Sequence, residues 1–329
     1  MSVEVTTITD HSVTVHDGDR VIHLDDLEPN ADVEIEGLSA RTLNRPGSEL
    51  LATVCTVNDV HFGEREVGNL HGDPDFAGVT LSSAPDETPY IDLMNADGVA
   101  EMKARKADAY IVKGDLTCNG TPEEFQEFLD CYERLGDKLT YVRGNHDAYR
   151  GETFGAMSHQ VVLVPGLLIA LLDTVIPGET PGQLLEDQLD WLDSLAAKSD
   201  RPVLVLGHHP VAWHDEDDFN LTPETSGALV DILDRRTAII GYAAGHTHRN
   251  QVKHTPAGVP LIEVGSIKDF PGGWTSYRVF EEGVVQSFHR VSTPAALAWT
   301  NRTRQLFDGH YPSYSFGALH DRCLVLPTR

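Results

Sequence analysis

Leu51-Ala-Thr-Val-Cys-Thr-Val57 runs into Asn58-Asp59-Val60-His61, and the change of character between the two pieces decides how the chain is read. The first piece is apolar and rich in β-branched residues, as suits a short strand buried on both faces. The second follows at once with a carboxylate and an imidazole. The same pairing recurs four times. Ala109-Tyr-Ile-Val112 ends at Gly114-Asp115, and Leu139-Thr-Tyr-Val142 at Gly144-Asn145-His146-Asp147. Val203-Leu-Val-Leu206 ends at Gly207-His208-His209, and Ala238-Ile-Ile-Gly-Tyr242 just before Gly245-His246-Thr247-His248. Ligands of an α/β sheet collect at the carboxyl ends of its strands, where every one of these polar groups is placed. His, Asp and Asn are nitrogen and oxygen donors for borderline divalent metals, and no Cys thiolate joins them. The glycines before Asp115, Asn145, His208 and His246 let the backbone turn sharply and approach an ion or a phosphate.

Helical signals fill the intervals. Thr121-Pro-Glu-Glu124 is a capping box with Pro at the first helical position, ahead of the stripe Phe125, Phe128, Leu129 and Tyr132. Thr180-Pro-Gly-Gln183 repeats the pattern before Leu184, Leu185, Leu189, Trp191, Leu192 and Leu195. Thr222-Pro-Glu opens a third helix reaching about Asp234, and a fourth is expected from about Ala96 to Lys106. Beyond His248 the period changes to two over Val259–Val264, Tyr277–Glu281 and Val284–His289, which predicts an antiparallel meander. The expected fold is an α/β two-sheet sandwich flanked by helices, in four layers, with the polar strings along one edge.

Three regions lie outside this core. Residues 1–49 alternate apolar and polar in short pieces with a turn at Asp17-Gly18, a small N-terminal β module. Residues 63–92 form a long Gly- and Pro-rich connection directly after His61, the length of a lid or binding loop. Residues 291–329 hold Trp299, Phe307, Tyr311, Tyr314 and Phe316, an aromatic-rich tail expected to pack on the core or a partner. Residues 50–290 are then the main domain, which carries all five polar strings.

The chain has 329 residues, 40% of them hydrophobic, enough to bury a full core. The formal charge of −26 opposes nucleic acid and anionic membrane as partners through long-range repulsion. No stretch reaches the length of a membrane span, and the N-terminus does not have the pattern of a signal peptide. The four cysteines show neither metal-ligand spacing nor a disulfide framework, so a cytoplasmic setting is expected.

Taken together and in order, the strings D-x-H, GD, GNHD, GH and GHxH resemble the calcineurin-like metallophosphoesterases over roughly Leu50 to Arg290. The resemblance implies a ligand set. Asp59, His61 and His248 hold one ion, Asn145, His208 and His246 hold a second, and Asp115 bridges both. It implies two Mn, Fe or Zn ions about 3.5–4 Å apart that share a water, whose hydroxide attacks phosphorus. His146 matches the family histidine that faces the leaving group and is the catalytic candidate. His71, Asp73 and His209 are candidate substrate contacts, with His209 equally suited to orienting His208. Asp147 reads as a support or turn residue, and Asp173-Thr174 as a structural turn near the site. His11, His16, His23, His159, His214, His254, His289, His310 and His320 read as ordinary surface histidines.

Departures narrow the group. Purple acid phosphatases carry a Tyr three residues after the GD aspartate, where this chain has Cys118, and lack the retained His61. Protein Ser/Thr phosphatases carry GDxxDRG, whereas this chain reads Gly114-Asp-Leu-Thr-Cys-Asn-Gly120. The repair nucleases share D-x-H and GNHD but are disfavoured by the acidic charge. The chain is most similar to bacterial class III cyclic-nucleotide and glycerophosphodiester phosphodiesterases. That implies hydrolysis of cyclic nucleotides or small phosphodiesters, against the alternatives of a phosphomonoesterase, a nucleotide pyrophosphatase or a non-catalytic scaffold. A small-molecule substrate and a possible homodimer are the expected partners.

Overall fold

A computed structural model describes residues 3–68, 79–212 and 219–328. Three antiparallel strands open the chain, β1 (Glu4–Ile8), β2 (Val13–Asp17) and β3 (Arg20–Leu24), followed by the hairpin β4 (Asp32–Ile35) and β5 (Leu38–Arg41). The body comprises β6 (Leu50–Val57), α1 (Tyr90–Ala104), β7 (Ala109–Lys113), α2 (Pro122–Tyr132), β8 (Leu139–Val142), β9 (His159–Val164) and β10 (Leu167–Leu172). It continues with α3 (Glu186–Lys198), β11 (Val203–Leu206), α4 (Pro223–Arg235), β12 (Ile239–Ala244), β13 (Gln251–His254), β14 (Pro260–Glu263), β15 (Gly273–Phe280) and β16 (Gly283–Arg290). The tail holds α5 (Pro294–Thr303), α6 (Tyr311–Ser315), α7 (Leu319–Arg322) and β17 (Cys323–Pro327).

Two six-stranded sheets form the centre, in the orders β17-β16-β15-β6-β7-β8 and β13-β14-β12-β11-β10-β9. Strands β6, β7 and β8 are mutually parallel, as are β10, β11, β12 and β14. Period-two alternation builds the layers. Val54 and Ile111 face Ile169, Leu204 and Ile262 of the opposite sheet, while their neighbours Cys55, Tyr110 and Val112 face outward onto Met94, Phe128, Tyr132 and Trp299. In the second sheet Leu168, Ala170 and Leu172 turn the other way, onto Leu192, Leu229 and Leu233 of α3 and α4. Helix, sheet, sheet and helix are thus stacked as expected, with the small β module beside them.

The local expectations fare unevenly. Thr121 caps α2 with the full reciprocal box, and α4 starts at Pro223. Helix α1 begins at Tyr90, six residues ahead of Ala96, because Tyr90, Ile91 and Met94 extend its buried stripe behind Pro89. Helix α3 begins at Glu186 and not after Thr180. Residues 175–182 instead loop back on themselves through a turn at Gly178, with Gly182 bridging to Val175 and Leu221. The antiparallel meander holds for β15 and β16, but β14 lies inside the second sheet, antiparallel to β13 and parallel to β12. Two histidines expected at the surface are elsewhere. His16 is 2% exposed and bonded to Thr6 and Ser292, and His289 stacks on Trp274. His214 lies outside the described residues.

Candidate metal centre

Five loops meet at the carboxyl ends of β6, β7, β8, β11 and β12. Their backbones bind one another directly. Asp59 N–H donates to the Gly114 carbonyl (3.1 Å), His61 N–H to that of Asp115 (2.9 Å), and Gly245 N–H to that of His208 (2.9 Å). The Asp59 carboxylate also accepts from His246 N–H at 3.0 Å. A β-carbon at Gly144 would collide with the Asp115 carboxylate, and one at Gly114 with the His208 ring, so close approach fixes both glycines. Asp59, His61, Asp115, His246 and His248 all occupy the left-handed region, with φ between 46° and 68°. Non-glycine residues are uncommon there, and such positions cluster at functional sites.

These turns bring all seven candidate ligands together. Asp59, His61 and His248 offer ligand atoms within 4.8 Å of one another, as do Asp59, Asp115 and His208. Asp115 presents its two oxygens in different directions, Oδ2 at 3.3 Å from His61 Nε2 and Oδ1 at 3.3 Å from His208 Nε2. Asn145 Oδ1 lies 3.1 Å from His208 Nε2, and the His208 and His246 ring centroids are 5.1 Å apart.

Outer contacts orient the rings. His208 Nδ1–H donates to the Lys113 carbonyl (2.9 Å) and His248 Nδ1–H to Asp269 (3.0 Å), so Nε2 of each faces the centre. Asp269 in turn accepts from the Tyr311 hydroxyl at 2.7 Å. Glu64 Oε2 lies 3.6 Å from His61 Nδ1, and Glu64 is held by Tyr90 and Lys268. Asp147 accepts from the backbone N–H groups of Leu116, Thr117 and Gly144, stitching the Asp115 loop to the Asn145 loop. His146 Nδ1–H donates to the Cys118 carbonyl at 2.7 Å, which leaves Nε2 as its working atom. Asp173 is a structural turn residue, pairing with Arg143 at 2.7 Å and accepting from Val175 N–H.

His209 is fully buried, with Nδ1 against the Thr174 hydroxyl (2.7 Å) and Nε2 against the Thr180 carbonyl (3.1 Å). His71 and Asp73 lie outside the described residues. Asn58, Glu64, Lys268, Asp269 and Tyr311 have no sequence motif. Asn58 and Glu64 stand one and three residues from the ligands they contact, whereas Lys268, Asp269 and Tyr311 reach the centre only through the fold.

The donor set fits a pair of cations. Neither ring nitrogen of buried His61 makes a hydrogen bond, nor does His246 Nε2 or Asn58 Oδ1, and unsatisfied buried polar atoms are costly. Burial drives both His61 and His246 well below the usual imidazole range, toward the neutral form that coordinates. Burial opposes charge on His208 as well, yet the neighbouring Asp115 lifts it to about 9. Asp115, despite its burial, is held well below the carboxylate range by His208, His146 and His61.

Residues 52–250 match the family model described as Calcineurin-like phosphoesterase. A protein of Rhodococcus erythropolis named "Probable cyclic nucleotide phosphodiesterase" is 30% identical over 58% of this chain and 72% of its own. Another so named, from a Synechococcus species, is 28% identical over 58% and 80%. A "Probable glycerophosphodiester phosphodiesterase" of Arcobacter nitrofigilis is 29% identical over 64% and 83%. Among solved structures, a dimetal phosphatase from Danio rerio superposes with a TM-score of 0.59 at 15% identity, covering 85% of this chain and all of its own. That likeness is one of fold.

Proposed function

The chain belongs to the calcineurin-like phosphoesterase family, and from that premise we propose that it is a dinuclear metal-dependent phosphodiesterase acting on cyclic nucleotides or small phosphodiesters. The observation that carries this reading is Asp115, which directs one oxygen toward His61 and the other toward His208. We assign Asp59, His61 and His248 to one ion, Asn145, His208 and His246 to the other, and Asp115 to both. Nitrogen and oxygen donors without thiolate suit Mn, Fe or Zn. When bound, such ions polarise phosphoryl oxygens and make water nucleophilic near neutral pH.

The chain's own groups do the rest. His208 and His248 are held with Nε2 inward by Lys113 and Asp269, so the donors are in place before any ion arrives. Asp115 is steadied by His146 N–H at 3.1 Å. His146 keeps Nδ1–H on the Cys118 carbonyl, so as the imidazolium it can give its Nε2 proton to a departing alkoxide and return to the neutral Nδ1–H form. Residues 50–290 carry this chemistry, and the tail supports it through Tyr311. No helix among the described residues is long and apolar enough to cross a membrane. The four cysteines are free, in keeping with the cytoplasmic setting we propose.

Metal analysis tests the reading. Purified protein should hold up to two equivalents, lose diester hydrolysis to a chelator and regain it with Mn. Asp115→Ala should deplete both ions, whereas His61→Ala should deplete mainly one. Full turnover by metal-free protein, or normal stoichiometry and rate in Asp115→Ala, would overturn the assignment.

A further inference from the structure

Only three aromatic side chains are exposed among the described residues: Tyr149 at 37%, Phe219 at 48% and Tyr314 at 46%. All three touch the metal centre's own loops. The Tyr149 ring lies 4.7 Å from that of His146, and its hydroxyl accepts from Asn145 Nδ2 at 2.6 Å. Phe219, beyond the His208-His209 turn, packs its ring 6.0 Å from His246. Tyr314 donates to the Thr247 carbonyl at 2.9 Å, and the Arg249 guanidinium lies 5.4 Å over its ring. Every other described aromatic is buried or half-buried, so among the described residues the most exposed rings lie at this rim.

We infer that Tyr149 and Phe219 form a subsite for a planar ring carried by the substrate, such as a nucleobase. Phe219 has no polar atom, so hydrogen bonding gives no reason for its exposure. Tyr149 is pinned at its hydroxyl, which holds the ring still and also directs the Asn145 carbonyl oxygen inward. The two rings stand on residues assigned to the second ion and to the leaving-group side. Each ring contacts a histidine of the centre, His146 or His246, so a substituent of a phosphate held there can meet it. In a chain of formal charge −26 an uncharged base meets no electrostatic penalty, and stacking on aromatic rings is the affinity this rim can supply. The location of the phosphate rests on the proposed function, whereas the preference for a ring rests on Tyr149 and Phe219.

Calorimetric titration of the metal-loaded chain with AMP and with ribose 5-phosphate separates the two claims, because both carry the ribose phosphate and only AMP carries a base, ribose 5-phosphate having a hydroxyl in its place. The subsite requires AMP to bind about tenfold more tightly, a size typical of base–aromatic stacking. Phe219→Ala should bring the two affinities to within about twofold by weakening AMP alone, and Phe219→Tyr should restore the difference. Tyr149→Phe should keep the preference for AMP, while Tyr149→Ala should reduce it. Equal affinities in the unaltered protein, or a parallel loss of both ligands in Phe219→Ala, overturn the subsite. Absence of diester hydrolysis would overturn the functional reading instead, and the affinity ratio would still decide the rim.

Discussion

His146 is distinguished from its neighbours by what its ring already does. One nitrogen is spent on the Cys118 carbonyl, the ring packs 4.6 Å from His61, and the backbone N–H steadies Asp115. Removing the ring removes the free nitrogen but leaves the seven assigned ligands and the backbone contact. His146→Ala should therefore retain both metal equivalents and lose kcat by about two to four orders of magnitude on alkyl diesters. The loss should shrink on nitrophenyl diesters, whose leaving groups need no proton. Rate measurements on both classes decide the role, and an equal deficit on each would assign the ring to charge stabilisation. At this scale the ligand set could be read from the chain because each donor directly follows an apolar run and a tight turn. The supports could not. Asp269 and Lys113 act on rings 21 and 95 residues away, and only closure of the sheets brings them there; Glu64 stands three residues from His61 but has no motif to mark it.

Among the elements, the tail helices bear on the centre most directly. Trp299 of α5 stacks on Tyr90 of α1 at 4.1 Å and donates to the Lys268 carbonyl, while Tyr311 of α6 donates to Asp269. Both paths end on ligands of one assigned ion, at His61 through Glu64 and at His248 through Asp269. Tyr311→Phe keeps the packing and deletes the one hydroxyl. It should weaken Mn binding at that ion roughly tenfold, the lower end for loss of an outer support, and leave the other ion unchanged. Titration with Mn followed by calorimetry reads both sites, and two unchanged affinities would reduce the tail to packing. Element boundaries were legible where a capping box or Pro announced them, as at Thr121 and Thr222. They were not where a distant strand or loop intervened. The stretch before Glu186 has a cap-like Thr-Pro, but Gly182 just after it is bridged to Val175 and Leu221, and the Thr180 carbonyl faces His209.

The molecule as a whole is closed by its two ends. Residues 4–17 lie against β16 and the tail. Thr7 donates to the Phe288 carbonyl, Ser287 donates to that of Ile8, and Arg322 reaches the carbonyls of Val5 and Thr6. Asp10, fully buried, pairs with Arg45 and Arg278. The alternation in residues 1–49 gave the hairpins, and strands so short cannot bury their apolar faces alone, but it could not say which surface would cover them. His16 marks the seam, enclosed between Thr6 and Ser292. Burial, aided by Arg290 and Arg304, drives its imidazole down to about 3 from the ordinary 6.5. Between those values the unfolded chain binds a proton that the folded chain refuses, so stability is full above about pH 6.5 and falls as the solution is acidified. The slope from this one group is at most about 1.4 kcal/mol per pH unit. His61, His246 and His289 act in the same direction, so the contribution of His16 must be isolated by difference. His16→Gln should be the less stable protein at about pH 8, where it lacks the native contacts of the neutral ring, and should close the gap by about pH 5. Urea midpoints of the two proteins at both pH values measure this. A gap that stayed constant with pH would show that His16 is not held neutral in the seam.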